Sequence, residues 1–494
     1  MDIDISSLVL VSLLVFFMSL YIFATQTKRK SNNLPPGPKK LPLIGNLHLF
    51  ASSVAPHRVL ADLALKYGPL VHLRLGEVST LVVSSAEVAE EVMKKHDLNF
   101  ANRPSLFLVE MFYKDADIAF APYGEYWRQL RKICTLELLS KRRVQSFRPS
   151  REKEILDMCR RIAQKEGSVI NLSERIESTL FSALVKASVG KIANKEGILV
   201  STIKESVDLV SGFSVVDMYP SIKLLRLISG MKRKVKPMHA KIDAILQEII
   251  DDHKVAIGES KLREDFVDVL LKFNDAGSDL YLTIDNIKAV LFDMFAGGIE
   301  TSSVTIDWAM AEMLRHPRVL QKAQDEVRRV FANNGFVEGS EFDKLKYLKF
   351  VVKEILRLHP PSPLLLPRQN SEECEINGYK VATKTKVLVN AWAIGRDPKM
   401  WKDADSFIPE RYLDLHEIDY KGNNFEYIPF GAGRRICPGS LFGLAYVEHA
   451  LAALLLYFDW VSPENVDMAE SFGATARRKY PLRVIPIVRN PLPM

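Results

Sequence analysis

The sequence contains few cysteines: four in 494 residues, at positions 134, 159, 374 and 437. They lie far apart and form no C-x-x-C pair, which excludes a disulfide framework and a zinc site built on cysteines. So small a number of dispersed cysteines suits a reducing compartment.

The sequence also lacks a polybasic tail, an internal repeat and any low-complexity tract. Its net charge of +7 is too small to indicate nucleic-acid binding, so we expect no nucleic-acid partner. No G-x-G-x-x-G opens a helix after a strand, so no dinucleotide-binding segment can be identified. What is present is an ordinary globular composition, 47% hydrophobic and 26% charged.

An uncharged stretch near the N-terminus, residues 5–24, is rich in Leu, Val, Phe and Ile and long enough to span a bilayer as one helix. Acids precede it and the basic residues 28–30 follow, so the positive-inside rule predicts a lumenal tip at residues 1–4 and a cytosolic main chain. A cleaved signal peptide is the alternative. The charges lie on the wrong side for it, and no small-residue cleavage site is evident.

The rest of the chain is predicted to be mainly α with small β-sheets. Beyond a basic and proline-rich linker at residues 25–38, we expect one domain over residues 39–494. Alternating apolar residues predict a strand pair between residues 70 and 83. A very long helix is predicted from Thr283, as its N-cap, to His316 before a proline. At 1.5 Å per residue it would be roughly 50 Å long.

One cysteine, Cys437, lies between glycines and behind two arginines in the stretch from Phe430 to Gly439. The apolar run from Leu441 predicts a helix, so this cysteine is expected in a loop next to a helix N-terminus. The helix dipole there favours negative charge, which predicts a lowered thiol pKa. A thiolate in such a loop is a suitable axial ligand for haem iron. The alternative is a buried cysteine with only a packing role.

The spacing F-x-x-G-x-R-x-C-x-G resembles the haem-binding signature of the cytochrome P-450 superfamily. Its five fixed positions are matched by Phe430, Gly433, Arg435, Cys437 and Gly439. The resemblance implies a mainly helical fold that binds haem b. It implies Cys437 as the axial ligand of the iron, with Phe430 and Arg435 in the cofactor-binding loop.

Two further segments resemble haem-binding parts of this family. Trp127 and Arg131 lie four residues apart on a predicted helix and share a face. A buried tryptophan beside a solvated arginine is the alternative. The resemblance implies that both bind a haem propionate, and that Arg368 binds one too. Arginine suits a carboxylate because its N–H donors form a fixed fork.

In the middle of the long helix, residues 296–302 read Ala-Gly-Gly-Ile-Glu-Thr-Ser. Two glycines normally argue for a helix break, and a capped turn is the reading in isolation. The segment resembles the family's oxygen-binding motif, which implies that Glu300 and Thr301 relay protons during oxygen activation. Glutamate stands where aspartate is frequent, which keeps the acid and lengthens its reach.

Glu354 and Arg357 lie three residues apart on one predicted helix face, where exposed pairs are common and contribute little. Arg411 follows in a Pro-Glu-Arg triplet. Together they resemble the family's E-x-x-R and P-E-R elements. The resemblance implies a buried network of these three residues that holds the cysteine loop.

The likeness runs through the whole chain and is greatest to plant microsomal A-type members that oxidise terpenoids and alkaloids. NAWAIGRDP at 390–398 and FEYIPFGAGRRICPG at 425–439 carry it. It implies a monooxygenase on the endoplasmic reticulum membrane that uses O2 and electrons from NADPH, delivered by a separate NADPH–cytochrome P-450 reductase. Two rival classes stay open: a reductase-independent member that rearranges or dehydrates, and a membrane haem-binding protein without activity. The intact Glu300–Thr301 pair argues against both.

The predicted substrate is a small lipophilic plant metabolite, which is hydroxylated or epoxidised. An apolar pocket lining favours a terpenoid over an indole-type alkaloid or a phenolic. The predicted pocket residues are Phe107, Phe213, Phe295, Ala296, Leu364 and Phe472.

Overall fold

The structure is a computed structural model. It describes residues 12, 14–16, 18, 33–113, 115–190, 195–209, 214–255, 264–275, 281–332, 337, 339–473 and 475–493. The predicted lumenal tip at residues 1–4, most of the predicted anchor at 5–24 and most of the linker at 25–38 lie outside these ranges.

Helices dominate the described chain, as predicted. The α-helices are α1 (Pro56–Tyr67), α2 (Ala86–Glu90), α3 (Phe107–Tyr113), α4 (Glu125–Ile133), α5 (Lys141–Ser146), α6 (Arg148–Ala163), α7 (Leu172–Val189), α8 (Glu196–Leu209), α9 (Val215–Met218), α10 (Lys223–Ile228), α11 (Met231–Val255), α12 (Phe266–Leu271), α13 (Ile284–Arg315), α14 (Pro317–Val330), α15 (Lys346–Leu358), α16 (Ala391–Ile394) and α17 (Ser440–Tyr457). Short 3-10 or π-helical turns lie at Leu47–Phe50, Glu91–Lys95, Cys134–Leu138, Gly339–Lys344, Pro409–Leu413 and Gly433–Arg435.

The strands are short. They are β1 (Leu70–Leu75), β2 (Val78–Val83), β3 (Ile170–Asn171), β4 (Arg368–Gln369), β5 (Cys374–Ile376), β6 (Tyr379–Val381), β7 (Lys386–Val389), β8 (Phe458–Val461), β9 (Glu470–Phe472), β10 (Ala476–Arg478) and β11 (Arg483–Val488).

Among the described residues these strands form four small sheets. The largest has the order β1-β2-β7-β4, in which β1 and β2 are antiparallel and β2 is parallel to β7. The predicted strand pair is therefore confirmed, with Gly76 at its turn in the left-handed region, φ +61°. The other sheets are β3-β11-β8 and the hairpins β5–β6 and β9–β10.

The predicted long helix is confirmed at both ends as α13. The Thr283 side chain accepts from the backbone N–H of Asn286 and the Asn286 side chain accepts from the N–H of Thr283, which is a capping box. His316 ends the helix and Pro317 begins α14. With 32 residues, α13 is about 48 Å long and packs against α7 and α17 within the main hydrophobic core.

The helix that follows the cysteine loop, α17, is apolar along its length. It is the one helix of the described chain that is long and apolar enough to span a membrane, but 72% of it is buried inside the protein. It packs against α13 and α14 as a core helix, and it thereby fixes the loop at its N-terminus.

A buried ion network joins α15 to the segments that follow it. The Arg357 guanidinium donates twice to the Glu354 carboxylate, at 2.9 and 2.8 Å, and Arg411 Nε donates to the same carboxylate at 2.9 Å. The side chains of Glu354 and Arg357 have no solvent exposure. Arg357 also donates to the carbonyls of Gly395 and Ala404, both at 2.6 Å. The three predicted residues therefore do form one network.

The same helix reaches the segment before the cysteine loop. The Tyr427 hydroxyl donates to the Lys353 carbonyl at 3.1 Å. The Tyr427 ring meets Trp401 edge-on, and Trp401 lies under the Arg357 guanidinium at 5.2 Å. This packing connects the ion network to residues 425–431, which lead into the loop.

Candidate active site

A cavity of about 380 Å³ lies between the middle of α13 and the loop that carries Cys437. Its size is typical of small-molecule sites. Ala296, Gly297 and Thr301 border it from α13, and Phe430 and Cys437 border it from the loop. Helix α3, the segment before β4 and the β9–β10 turn contribute further side chains to its wall.

The backbone fixes the cysteine loop. The Cys437 N–H donates to the Phe430 carbonyl at 3.0 Å, which closes the loop. Gly433 has φ +68°, and a Cβ at this position would lie 2.3 Å from the Met93 carbonyl oxygen, so only glycine fits. The exposed surface of Cys437 faces the cavity, so its thiol is accessible from inside the protein.

The predicted lowering of the thiol pKa is wrong for the polypeptide alone. Burial raises the pKa of Cys437, because the surroundings disfavour a thiolate more than its neighbours favour it. The backbone N–H groups of Gly439 and Ser440 at the start of α17, together with Arg131, act in the opposite direction. A bound metal cation would act against this effect of burial, because it deprotonates a coordinating thiol.

Four arginines, Arg103, Arg131, Arg368 and Arg435, border the cavity on the side of the cysteine loop. Burial and the neighbouring guanidinium groups lower the pKa of Arg103 well below its usual value, and they lower that of Arg435 to about 10. Asp97 lies 3.5 Å from Arg368, and the charge of Asp117 acts on Arg103 and Arg435, so two carboxylates face four cations. The cluster is short of negative charge.

Arg435 and Trp127 are brought together as a stacked pair, with the guanidinium 4.1 Å from the ring centroid. Arg435 donates to the carbonyls of Ala101 and Ala121, at 2.7 and 2.5 Å. The Trp127 N–H donates to the Ile118 carbonyl at 2.9 Å. The backbone thus holds both side chains at the cavity wall. The binding of a propionate by Trp127 stays a prediction.

The other three arginines differ in whether the protein supplies hydrogen-bond acceptors for their guanidinium groups. Arg368 donates to the Ala432 carbonyl at 2.7 Å, and Arg103 donates to the Leu366 carbonyl at 2.9 Å. Arg131 has no hydrogen-bond acceptor among the described residues, although burial lowers its pKa. A half-buried guanidinium that faces a cavity without an acceptor is a site for a ligand carboxylate.

Loop 117–121 forms the wall between these cations and α13. One oxygen of the Asp293 carboxyl accepts the N–H groups of Ile118 and Ala119, at 2.8 and 3.1 Å. Burial and the nearby Asp117 raise the pKa of Asp293 well above its usual value. The carbonyl groups of the same loop hold the stacked indole and guanidinium, so one loop positions both sides of the cavity.

Glu300 and Thr301 lie on neighbouring faces of α13. The Thr301 hydroxyl donates to the Gly297 carbonyl at 2.7 Å and borders the cavity. Glu300 turns towards the β9–β10 hairpin, where its carboxylate accepts the Thr475 hydroxyl and lies 3.8 Å from Arg477 Nη1. The predicted acid and hydroxyl are therefore adjacent in sequence but directed to different surroundings.

The two glycines before them do not break the helix. A Cβ on Gly298 would lie 3.0 Å from Leu184 Cδ2, so Gly298 permits the close approach of α7. A Cβ on Gly297 would meet no atom within 4 Å, because this face borders the cavity. One glycine serves packing and the other leaves room beside the helix.

This arrangement fits a flat, iron-containing group with carboxylate side chains. A thiol faces the cavity from one side, Gly297 leaves room on the other, and Arg131 lacks an acceptor beside them. The family model for cytochrome P-450 matches residues 35–485 of the chain. The chain belongs to the cytochrome P-450 family.

Several curated P-450 enzymes from plants are similar over the full length. Salviol synthase of Salvia pomifera is 49% identical over 100% of both chains. Premnaspirodiene oxygenase of Hyoscyamus muticus is 48% identical, covering 96% of this chain and 97% of the relative. Tabersonine 6,7-epoxidase isoform 1 of Catharanthus roseus is 47% identical, with the same shares covered.

Solved structures agree on the P-450 fold. A zebrafish cytochrome P-450 solved with abiraterone superposes with a TM-score of 0.76 at 24% identity, covering 88% of this chain and 99% of that one. Membership of this family implies the cofactor, which is haem b, with O2 as the oxidant and a reductase as the source of electrons. The protein is therefore a P-450 monooxygenase, which removes the rival reading as a haem-binding protein without activity.

The predicted pocket residues of this P-450 are only partly on the cavity wall. Ala296 borders the cavity. Phe107 does not; its ring lies under Arg226, at 5.4 Å. Phe295 is directed into the core, where it stacks on Phe181 at 6.4 Å. Each helical residue is rotated by about 100° from the next, so a shift of one position moves a side chain from cavity to core.

Two of the remaining pocket predictions are corrected, and the third is untested. Leu364 is buried beneath the β1–β2 sheet, and its neighbour Leu365 borders the cavity instead. Phe472 packs against His57, at 5.9 Å, while Thr475 supplies the hairpin's contribution to the wall. Phe213 lies outside the described residues.

Sequence reasoning missed several residues that the structure places at the P-450 site. Asp293 had a readable signal, because it is a lone acid in the apolar run 290–296. Arg103 had none, because its partner Leu366 is distant in sequence. Thr475 lies three residues after the predicted Phe472, but its partner Glu300 is equally distant. Phe112, which stacks on Phe292 at 5.0 Å in the cavity wall, lies five residues after the predicted Phe107 but was not selected.

Proposed function

We propose that this P-450 hydroxylates or epoxidises a small lipophilic plant metabolite of the terpenoid class. NADPH is the electron source, through a separate membrane-bound reductase. The observation that carries the proposal is that Cys437 and Thr301 border one largely apolar cavity from opposite elements. The names of two relatives, an oxygenase and an epoxidase, support oxygen insertion as the reaction.

The residues around the cavity have distinct roles in this proposal. Cys437 would hold haem b, which would supply the activation of O2 for insertion of one oxygen atom into the substrate. Arg131, Arg368 and Arg435 would bind the propionates, because a guanidinium fork matches a carboxylate. Phe430, which borders the cavity together with Cys437, would contact the bound group.

Protons for this reaction pass along α13. The Thr301 hydroxyl holds its proton on the Gly297 carbonyl and borders the cavity, so it can give that proton to a group bound there. Glu300 is the adjacent acid and is partly exposed, so it can exchange protons with solvent. Positioned proton transfer of this kind contributes roughly 10²–10⁴-fold to rate.

The wall opposite the cysteine loop favours a hydrocarbon-like substrate. Phe112 and Phe292 stack there, next to Leu108 and Val109 of α3. Such a wall offers contact area but few directed hydrogen bonds, which suits a terpenoid skeleton better than a polar phenolic. An alkaloid with a large apolar face is the second candidate, since one relative is named as an epoxidase of tabersonine.

The first experiment is an optical titration of the full-length ferric protein with terpenes, alkaloids and phenolics, which follows the shift of the haem absorption band on ligand binding. We expect a saturable shift with terpenes. Phe112→Ala is expected to weaken that binding by about tenfold, because contact with a buried phenyl ring is worth roughly 1.5–3 kcal/mol and 1.4 kcal/mol is tenfold.

Phe107→Ala is the matched control for this titration. Phe107 lies in the same helix and is as buried as Phe112, but it does not border the cavity. Its replacement is expected to leave the dissociation constant unchanged. A shift with phenolics alone would contradict the terpenoid assignment, and equal effects of the two variants would contradict the placement of the substrate against Phe112.

We also propose that the protein lies on the cytosolic face of the endoplasmic reticulum membrane, held by residues 5–24. An exposed apolar patch supports this. It combines Leu41–Ile44 with the exposed leucines of α10, and the Tyr219 hydroxyl donates to the Leu43 carbonyl at 3.3 Å between them. Exposed basic residues at 232–234 adjoin it, and basic rims favour anionic lipid surfaces.

Photo-crosslinking to lipid tests this arrangement. A benzoylphenylalanine introduced at Leu227, which is 69% exposed in the patch, is expected to label lipid when the full-length protein is in microsomes. The same probe at Leu413, which is 62% exposed beside the ion network, is the control and is expected to remain unlabelled. Equal labelling at both positions, or none at Leu227, would refute contact between this patch and the membrane.

A further inference from the structure

The C-terminal hairpin β9–β10 is fixed to one face of α13. The Trp308 N–H donates to the Ala476 carbonyl at 3.0 Å, and Arg478 pairs with Asp307 at 3.5 Å. Trp308, Asp307 and Arg478 are all buried. These contacts lie about two helical turns beyond Glu300, so the hairpin covers the same side of the helix as the Glu300 carboxylate.

Thr475, in the turn of this hairpin, contacts both Glu300 and the cavity. Its hydroxyl donates to Glu300 Oε1, and the residue is 4% exposed and borders the cavity. The turn is held on both sides, because the Gly473 N–H donates to the Thr475 carbonyl at 3.1 Å and the Ala476 N–H donates to the Pro361 carbonyl at 2.9 Å. One hydroxyl therefore lies between the Glu300 carboxylate and the cavity.

Arg477 lies on the outer side of the same carboxylate. Its Nη1 is 3.8 Å from Glu300 Oε1, and its side chain is 35% exposed against 15% for Glu300. Arg477, Glu300 and Thr475 thus form a series that runs from solvent to the cavity. The cation attracts the carboxylate to the hairpin side of α13 and away from the face that carries Thr301.

We infer that Thr475 is a second relay hydroxyl, through which Glu300 exchanges protons with the cavity, while Arg477 positions the carboxylate. When Glu300 is protonated the hydrogen bond reverses, so that Glu300 donates to Thr475 Oγ1 and the Thr475 hydroxyl donates to a water in the cavity. The Glu300 proton then passes to Oγ1 as the Thr475 proton passes to that water. Solvent then reprotonates Glu300, and no electron moves. The inference rests on the proposed role of Glu300 as the proton source and adds the hydroxyl by which that acid reaches the cavity.

The test compares Thr475→Val, Thr475→Ser and Glu300→Gln in the full-length, haem-loaded protein with reductase and a substrate found by the titration. Valine keeps the shape and removes the hydroxyl. We expect it to lower the share of consumed NADPH that appears as product by about tenfold, with hydrogen peroxide released instead. Serine is expected to restore that share. Thr179→Val, which removes a buried hydroxyl in α7 away from the cavity, is expected to leave it unchanged.

A second readout does not depend on turnover. The infrared carboxylate band of Glu300, identified by its loss in Glu300→Gln, is expected to shift when Thr475→Val removes its donor and to return in Thr475→Ser. A purely structural role of Thr475 would change protein yield and haem content without this pattern of rescue. Arg477→Gln is the second variant, chosen because the Arg477 side chain is partly exposed and its replacement should not prevent folding. It is also expected to lower the product share.

The outcomes separate the inference from the proposed function. If Glu300→Gln lowers the product share while Thr475→Val and Arg477→Gln leave it unchanged, the inference is overturned and the role of Glu300 stands. If Glu300→Gln itself has no effect, the proposed role of Glu300 fails, and the inference fails with it. Loss of product share in both hairpin variants, with recovery in Thr475→Ser, supports the inference.

Discussion

Replacing Cys437 by alanine is expected to abolish both the thiolate-type absorption spectrum and the monooxygenase activity. The cavity-facing thiol of Cys437 is the group that can place a negatively charged sulfur on the iron. Burial raises the pKa of Cys437, and an iron bound there would favour the thiolate. Without the sulfur, the electron donation that favours O–O cleavage is lost. The measurement is the spectrum of the reduced protein with carbon monoxide, followed by turnover.

Cys374→Ala is the matched control for this loss. Cys374 lies in β5, is partly exposed, and has a pKa that burial also raises, but it does not border the cavity. We expect its replacement to leave spectrum and turnover unchanged, while circular dichroism shows that both variants are folded. A Cys437→Ala protein that kept a thiolate spectrum would mean that another sulfur binds the iron.

Replacing Glu354 by alanine is expected to destabilise the protein by about 3–5 kcal/mol, which is enough to prevent accumulation of the haem-loaded form. The variant leaves Arg357 without its carboxylate in a position with no solvent exposure, and Arg411 loses the same partner. The free-energy cost of a buried unpaired charge is far larger than the net stabilisation that an intact buried ion pair provides. The measurement is the yield of haem-loaded protein and the midpoint of its thermal unfolding.

Glu125→Ala removes a carboxylate of the same kind from a pair with the same spacing. Glu125 and Arg128 lie three apart at the start of α4, but the two side chains are 73% and 50% exposed. We expect little change in the midpoint of thermal unfolding, because solvent already satisfies both charges. Equal loss in the two variants would show that burial is not what makes the Glu354 network important.

The features predicted correctly from the sequence are those set by local chemistry. The ends of α13 follow from a capping threonine and from a histidine before a proline, and the first strand pair follows from alternation around Gly76. The resemblance to the P-450 family also predicted the segments that meet at the cavity, since the cysteine loop, residues 296–301 and Arg368 all border it or adjoin it. Each of these motifs spans only a few residues, so each can be recognised in the sequence.

The features that were missed depend on orientation and on long-range contacts. Within predicted segments, Phe107 and Phe295 proved to face away from the cavity, because a helix turns by about 100° per residue. The pKa of Cys437 depended on burial, which opposed the helix-end effect and was larger. The bond between Thr475 and Glu300 joins positions 175 residues apart, and no local pattern predicts such a pairing.

Loop 117–121 also limits which changes of the cavity wall can admit a different substrate. Its N–H groups bind Asp293, and its carbonyls hold Trp127 and Arg435, so most of its backbone is already in use. A backbone change in the loop that admitted a new substrate would also disturb the cofactor side. Helix α3 is different, because its backbone hydrogen bonds lie largely within the helix. Its side chains Leu108, Val109 and Phe112 line the cavity. Substitutions in α3 can therefore change the substrate wall with little effect on loop 117–121, whose backbone is fixed by contacts to Asp293 on one side and to Trp127 and Arg435 on the other.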